Sequence, residues 1–307
     1  MGTERRALVF GGTGFLGRHV VIALRDAGYE TVSVSRSAAG HGVVLDLAAT
    51  DTGTLKELLA DLRPELLVNS AGVAWQKDDK EMRRMNARFA ARLAVAAAGS
   101  PLRPRLVHLG TVHEYGPVPA GTLIAETQLP APSGAYGRTK LLGTRAVLDT
   151  ARERGLSAAV LRVVNVCGPG APATSLLGLV CAHLARSATK AQAQPLRVAP
   201  LVARRDFVDA RDVADAVLAA AAASDDALAD PLFNIGRGEA VSVRSLVDRL
   251  VALSGFRVPV LEESTSPVGN AAGSDWHRVD VARARDLLAW KPRRTLEESL
   301  RDQLDAV

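Results

Sequence analysis

The stretch Val9-Phe-Gly-Gly-Thr-Gly-Phe-Leu-Gly-Arg-His-Val-Val21 decides the fold. "RALVFGG" (6–12) reads as a short buried strand, and residues 14–27 read as a helix. Between them, Gly11, Gly14 and Gly17 form G-x-x-G-x-x-G. In such a loop one glycine allows a sharp turn, one lets a pyrophosphate approach the backbone, and the last lets helix and strand pack closely. A glycine turn alone is weak evidence. A strand before it and a helix after it are the context that makes it a dinucleotide site. Thr13, Phe15 and Leu16 belong to the same loop and helix start. The second strand of such a unit usually ends in an acid that holds the ribose hydroxyls of NAD. Here it ends Ser35-Arg36-Ser37. An arginine there pairs with a 2′-phosphate, so the expectation is NADP(H), with NAD(H) as the alternative.

Outward from this loop the chain alternates. Strands read at "TVSVS", "GVVLDL", "ELLVNSAG", "RLVHLG" and "SAAVLRVVN", with helices over 52–62, about 80–98 and about 134–154. Continuous apolar strands between amphipathic helices imply an α/β fold: a Rossmann-type, doubly wound parallel sheet covered on both faces. After Cys167 the rhythm breaks at "CGPGAPAT". A second, smaller C-terminal lobe is expected there. The division is 1–166 for the dinucleotide domain, with a return segment at about 204–236, and 167–203 plus 237–307 for the substrate lobe. The return segment reads as strand then helix over 204–222, followed by the strand "PLFNIG".

Composition narrows the class. Of 307 residues, 48% are hydrophobic and 23% charged, as in an ordinary globular protein. No apolar run reaches the ~20 residues of a membrane span, and "MGTERRALVFGG" is no leader. Cys167 and Cys181 make no disulfide framework, so a cytoplasmic location is expected. The net charge is +5, with the arginines scattered and no nucleic-acid-reading motif. An anionic small molecule is the expected partner, and no nucleic acid or membrane. The six histidines lie far apart without zinc spacing, so no metal is expected.

The chemistry points to "SGAYGRTK", 133–140. Tyr136 and Lys140 stand one helical turn apart on one face. At about 4 Å and an effective dielectric near 20, ammonium and phenolate attract by roughly 4 kcal/mol before desolvation. The expectation is a phenol lowered by ~2 units, a proton donor usable near neutrality.

Taken together, the chain resembles the extended short-chain dehydrogenases/reductases, the nucleotide-sugar epimerase/dehydratase/reductase group, over nearly its whole length. The resemblance rests on "GGTGFLG", "LDL" (45–47), "NSAG" (69–72), "HLGTVHEYG" (108–116), "YGRTK" (136–140), "RVVNVCGPG" (162–170), "RRDFVDARDVADAV" (204–217), "FNIGRGEAVS" (233–242) and "DLLAWKP" (286–292). It implies that Tyr136 is the general acid/base, that Lys140 binds the nicotinamide ribose and lowers the tyrosine's pKa, and that Thr111 holds the substrate oxygen. It also implies Asp46 and Leu47 at the adenine, Ala71 and Gly72 along the dinucleotide, and Asn165 and Arg205 at the substrate, Arg205 on its diphosphate.

Departures shape the expected reaction. Family dehydratases carry Asp-Glu after the catalytic Ser/Thr, whereas Val112 and His113 follow Thr111, which argues against loss of water. His113 becomes a candidate substrate contact. The usual "NVYGP" reads "NVCGP", so Cys167 alters the pocket shape. The usual R-x-G-D is replaced by "NAAGSDWHRVD", where Arg278 is the candidate diphosphate ligand. The reading that follows is an NADPH-dependent ketoreductase of a dTDP-4-keto-6-deoxysugar, of the kind that serves bacterial antibiotic sugars. The alternatives are a nucleotide-sugar 4-epimerase with tightly held NAD, a reductase of a polyketide or aglycone ketone, and a non-enzymatic NADP-binding regulator. A homodimer is expected through the helices at 80–98 and 134–154, whose alanines would allow close contact.

Overall fold

The computed structural model describes residues 5–36, 42–74, 78–188, 194–263 and 275–307. Ser37 and residues 270–274 of the "NAAGSDWHRVD" stretch lie outside them. The first half runs β1 (Arg6–Phe10), α1 (Phe15–Asp26), β2 (Glu30–Ser35), β3 (Val43–Val44), α2 (Thr52–Leu62), β4 (Leu66–Asn69), α3 (Asp79–Met82), α4 (Ala90–Ala98), β5 (Arg105–Thr111), α5 (Ala135–Arg154) and β6 (Ala158–Val163). The second half runs β7 (Asn165–Cys167), α6 (Leu176–Ala188), β8 (Leu196–Val198), β9 (Arg204–Arg205), β10 (Phe207–Asp209), α7 (Ala210–Ala222), β11 (Leu232–Ile235), β12 (Val241–Ser242), α8 (Val243–Leu253), β13 (Val260–Glu262), α9 (Ala282–Leu288) and α10 (Leu296–Asp305).

Seven parallel strands form the central sheet in the order β11-β6-β5-β4-β1-β2-β3. This is the doubly wound α/β sheet that the alternation implied. Strand side chains alternate between faces. Val9 therefore joins Val20 and Leu24 of α1 and Val213 and Val217 of α7 in one core layer. Leu8 and Phe10 join Leu55 of α2, Phe89 and Leu93 on the α4 side and Val147 of α5 in the other. With both faces covered, β6 buries all six of its residues, which is why it reads as an unbroken apolar run. A third cluster, with Cys167, Leu177, Leu184, Leu246, Leu250 and Leu300, packs α6, α8 and α10 together. The stretch 204–222 splits into β9, β10 and α7. β9 pairs with β12 and β10 with β7, while β11 extends the main sheet.

The helix expected over 80–98 is interrupted by a π-helical stretch, Arg83–Phe89, between α3 and α4. This widened turn rests directly on α5: a Cβ on Gly143 would fall 2.1 Å from the Asn86 carbonyl oxygen. The alanines expected to face a second copy turn inward instead. Ala90, Ala94, Ala96 and Ala97 are buried within the chain, because they pack against α2 and α5. Among the described residues no helix is long and apolar enough to cross a membrane.

Candidate active site

In a doubly wound sheet, ligands bind beyond the carboxyl ends of the strands, where the strand order reverses. β1 ends at Phe10, and Gly11 turns away with φ +82°, a left-handed conformation that suits glycine. Its N–H donates to the Val34 carbonyl (2.8 Å), which ties the loop to β2. A Cβ on Gly17 would lie 2.1 Å from the Gly11 oxygen, so α1 presses onto the loop where no side chain fits. Gly14 caps α1 without any side-chain hydrogen bond, which leaves the first-turn amides of Phe15 and Leu16 for a ligand. Thr13 is exposed on this turn. Arg36 is exposed at the end of β2. Asp46 is exposed after β3 and accepts the Ala48 N–H (3.1 Å), while Leu47 is buried beneath it. Ala71 and Gly72 follow β4, Ala71 buried and Gly72 exposed. The positions expected to line a dinucleotide thus follow the ends of adjacent strands. With bare glycine backbone and open helix amides, they fit one.

Thr111 ends β5. Its Oγ1 accepts the His113 N–H (3.4 Å), and Glu114 Oε1 accepts the Thr111 N–H (2.9 Å), so a tight turn fixes the threonine. Glu114 is fully buried and also accepts from Thr144 Oγ1 (3.0 Å) and Arg162 Nε (2.9 Å). Arg162 lies over the Tyr115 ring, whose hydroxyl donates to Asn234 Oδ1 (2.8 Å). This buried polar network is the floor of the site.

Tyr136 sits in the first turn of α5 and shares a side-chain hydrogen bond with Thr111. Burial pushes its phenol up to about 12, against the Thr111 bond; the Glu114 charge adds to the rise. Burial pulls the Lys140 ammonium down to about 8, which Glu114 opposes. Lys140 Nζ donates to the Leu109 carbonyl (2.5 Å). The expectation of a phenol lowered by Lys140 is therefore reversed. Desolvation outweighs the lowering from Thr111, and the ammonium is engaged by the β5 backbone. Asn86, in the π stretch, accepts the Val73 N–H (2.9 Å) and donates to the Val73 carbonyl (2.9 Å) and Thr139 Oγ1 (3.1 Å). It ties the loop after β4 to the helix that carries Tyr136.

The open side of Tyr136 is lined by His113, whose ring stands edge-on to it at 5.8 Å between centroids. His277 in turn stands edge-on to His113 at 5.0 Å. Arg205 of β9 lies close enough for its charge to lower both imidazoles, after burial, His113 to about 4 and His277 to about 3. Asn165 Nδ2 donates to the Asp206 carbonyl (3.0 Å), beside Arg205. Arg278 is exposed, and its Nε donates to the Gly238 carbonyl (2.9 Å). Alternation along the extended segment turns Arg278 away from the face that His277 presents to His113. Cys167 is buried with its thiol pushed up to about 12 by desolvation, so it shapes the lobe and is no nucleophile. Among the described residues no group of His, Cys, Asp and Glu is arranged to hold a metal.

Sequence reasoning named Thr111, Tyr136, Lys140, His113 and Arg205, and the fold brings them together. It missed Asn86, whose only signal was one amide in an Ala/Arg-rich helix, and His277, which is far from the site in sequence.

Known proteins give the family. A sequence profile described as the NAD dependent epimerase/dehydratase family matches residues 7–236. A dTDP-6-deoxy-L-talose 4-dehydrogenase (NAD(P)(+)) of Kitasatospora kifunensis is 43% identical over 304 residues, 97% of this chain and 94% of that one. A UDP-glucose 4-epimerase of Azospirillum brasilense is 28% identical, over 98% of this chain and 89% of that one. The solved structure of MoeE5 in complex with UDP-glucose and NAD has a TM-score of 0.82 at 26% identity, over 98% of both chains. With three quarters of the chain inside the family profile, and relatives along the whole of it, the chain belongs to the NAD-dependent epimerase/dehydratase family and is an NAD(P)-dependent oxidoreductase of the extended short-chain dehydrogenase/reductase type.

Proposed function

We propose that this chain is an NADPH-dependent ketoreductase that interconverts the 4-keto and 4-hydroxy forms of a dTDP-6-deoxyhexose. The observation that carries the reading is the 43% identity, over 97% of the chain, to a protein named for dehydrogenation at C4 of a dTDP-6-deoxysugar. That name allows either nicotinamide cofactor. The exposed Arg36 at the end of β2, with no acid beside it, favours NADP(H).

The site residues divide the work. Thr111 and Tyr136, already hydrogen-bonded to each other, receive the C4 carbonyl oxygen together. The glycine loop would hold the cofactor's pyrophosphate, and a bound nicotinamide would supply the hydride to C4. Tyr136 gives its proton to the oxygen, which becomes the C4 hydroxyl. A phenol near 12 is fully protonated at neutral pH, as an acid must be before it acts. Lys140 holds the nicotinamide ribose. Arg205 faces the diphosphate, with Asn165 beside it. In the turn after Thr111, Val112 and His113 stand where the dehydratases carry Asp-Glu, and the one acid there, Glu114, is fully buried and held by Thr144 and Arg162, so reduction rather than dehydration fits it. In this reading the first 166 residues and the return through α7 and β11 hold the cofactor, and the remainder holds the sugar nucleotide. Two copies associate through the α4 and α5 side of the sheet, where α5 presents an exposed stripe that includes Arg138, Leu142 and Arg145.

The test is NADPH oxidation with dTDP-4-keto-6-deoxyglucose and its C3/C5 epimers, with the reverse reaction on dTDP-6-deoxy-L-talose and NADP+. Turnover with at least one of these supports the reading. NADPH binding without turnover of any of them counts against it.

A further inference from the structure

His277 is 1% exposed, and neither of its ring nitrogens has a hydrogen-bond partner among the described residues. Buried polar groups are nearly always paired, so two unpaired nitrogens on one ring require an explanation. The backbone holds this ring in place from both sides. The His277 N–H donates to the Arg204 carbonyl (3.0 Å), and Arg204 donates to Asp275 (2.8 Å). Ile124 donates to the Arg278 carbonyl, and Asp280 back to Ile124, each at 2.8 Å. The ring is thus fixed against His113, and His113 against Tyr136. A second unpaired buried polar atom, Arg205 Nε, belongs to the same neighbourhood.

We propose that His277 is a substrate-positioning residue that hydrogen-bonds a ring hydroxyl of the hexose, at C2 or C3, and selects sugars that carry it. A neutral imidazole offers one donor and one acceptor, the pair that a hydroxyl needs. Burial, then His113 and the Arg205 charge, keep His277 neutral across the working pH range, with its pKa lowered to about 3. The same facts exclude a proton relay from Tyr136 through His113: edge-to-face ring contacts carry no proton, and neither imidazole takes one up near neutrality. The inference rests on the sugar-nucleotide reading above and adds the residue that discriminates among sugars.

The experiment compares wild type, His277→Phe and His277→Gln. Each is assayed with the accepted 4-keto sugar and with its 2-deoxy and 3-deoxy analogues, and NADPH affinity is measured by fluorescence titration. His277→Phe should raise KM for the full sugar about 10-fold or more, with kcat within about 3-fold and NADPH affinity unchanged. The penalty should vanish on the one analogue that lacks the contacted hydroxyl. His277→Gln, which keeps a donor and an acceptor, should recover most of the loss. An equal penalty on all three sugars, a loss confined to kcat or to NADPH binding, or no change at all would overturn the proposal. If His277→Phe does not fold, the wild type decides: an analogue must raise its KM about 10-fold, or the proposal fails. A wild type that binds NADPH but neither binds nor reduces any of these sugars overturns the function first, and this inference with it.

Discussion

Tyr136 is half-buried, and desolvation nevertheless sets the terms for it and the groups around it. Tyr136→Phe removes one oxygen and should lower kcat by roughly 10²–10⁴-fold while NADPH affinity, measured by titration, stays the same; retained turnover would refute the acid role. Because the phenol stays protonated to about 12, the basic limb of the reductive pH profile belongs to Lys140. Its charged form prevails below about 8 and is lost above it, so kcat/KM should fall with rising pH from about 8. A profile flat to 10 would contradict this assignment. The residue types and the spacing of this pair are plain in the sequence, but the direction of the tyrosine's shift is not. Spacing reveals a neighbouring charge, whereas desolvation depends on what the rest of the chain stacks overhead. Arg36→Ala should weaken NADPH by about 1–3 kcal/mol and NADH by much less, as binding titrations of both would report. Equal losses would count against the NADP preference.

Among the elements, the β1–α1 turn was the most legible, because its glycines answer local demands that few other residues meet. The demand is geometric at Gly17, where a Cβ would meet the Gly11 oxygen at 2.1 Å. Gly17→Ala should abolish measurable cofactor binding and lower Tm; a variant that binds NADPH normally would show that the loop is not the cradle. The π stretch was not legible. It rests against Gly143 of α5, a contact between segments more than fifty residues apart. Asn86→Ala would lose three hydrogen bonds that join the loop after β4 to α5. It should cost about 2 kcal/mol in denaturant unfolding and lower kcat as well. A strand was readable at the start of 204–222, but its division into β9 and β10 was hidden: strands of two and three residues carry too little period to separate, and their partners β12 and β7 are equally short.

For the whole molecule, the parallel sheet was readable because strands buried on both faces write long apolar runs. The smaller lobe was not, since its ladders are short and its core is assembled from helices scattered along the chain. That lobe nevertheless contributes His277, one of three histidines, with His108 and His113, that burial holds neutral. Unfolded, each takes up a proton near 6.5, so stability present above that pH is lost as the pH falls toward 4 and 3. Asp206, raised to about 6 by burial, and Glu126, also raised by burial, act in the opposite direction but are outweighed by the three, which His19, lowered by burial, reinforces. The net loss between pH 7 and pH 5 should be roughly 2–4 kcal/mol, visible as a lower Tm at pH 5; an unchanged or higher Tm would contradict the buried neutral imidazoles. The central claim is that hydride passes between the nicotinamide and C4 of a dTDP-6-deoxyhexose. The most direct measurement of it is the fate of deuterium from NADPH labelled at nicotinamide C4, with both labelled faces assayed separately on the 4-keto sugar. The account predicts that one face delivers its label to C4 of the sugar, with the C4 hydroxyl formed in the same step. Label found at another carbon, or retained in the cofactor from both faces, would contradict it.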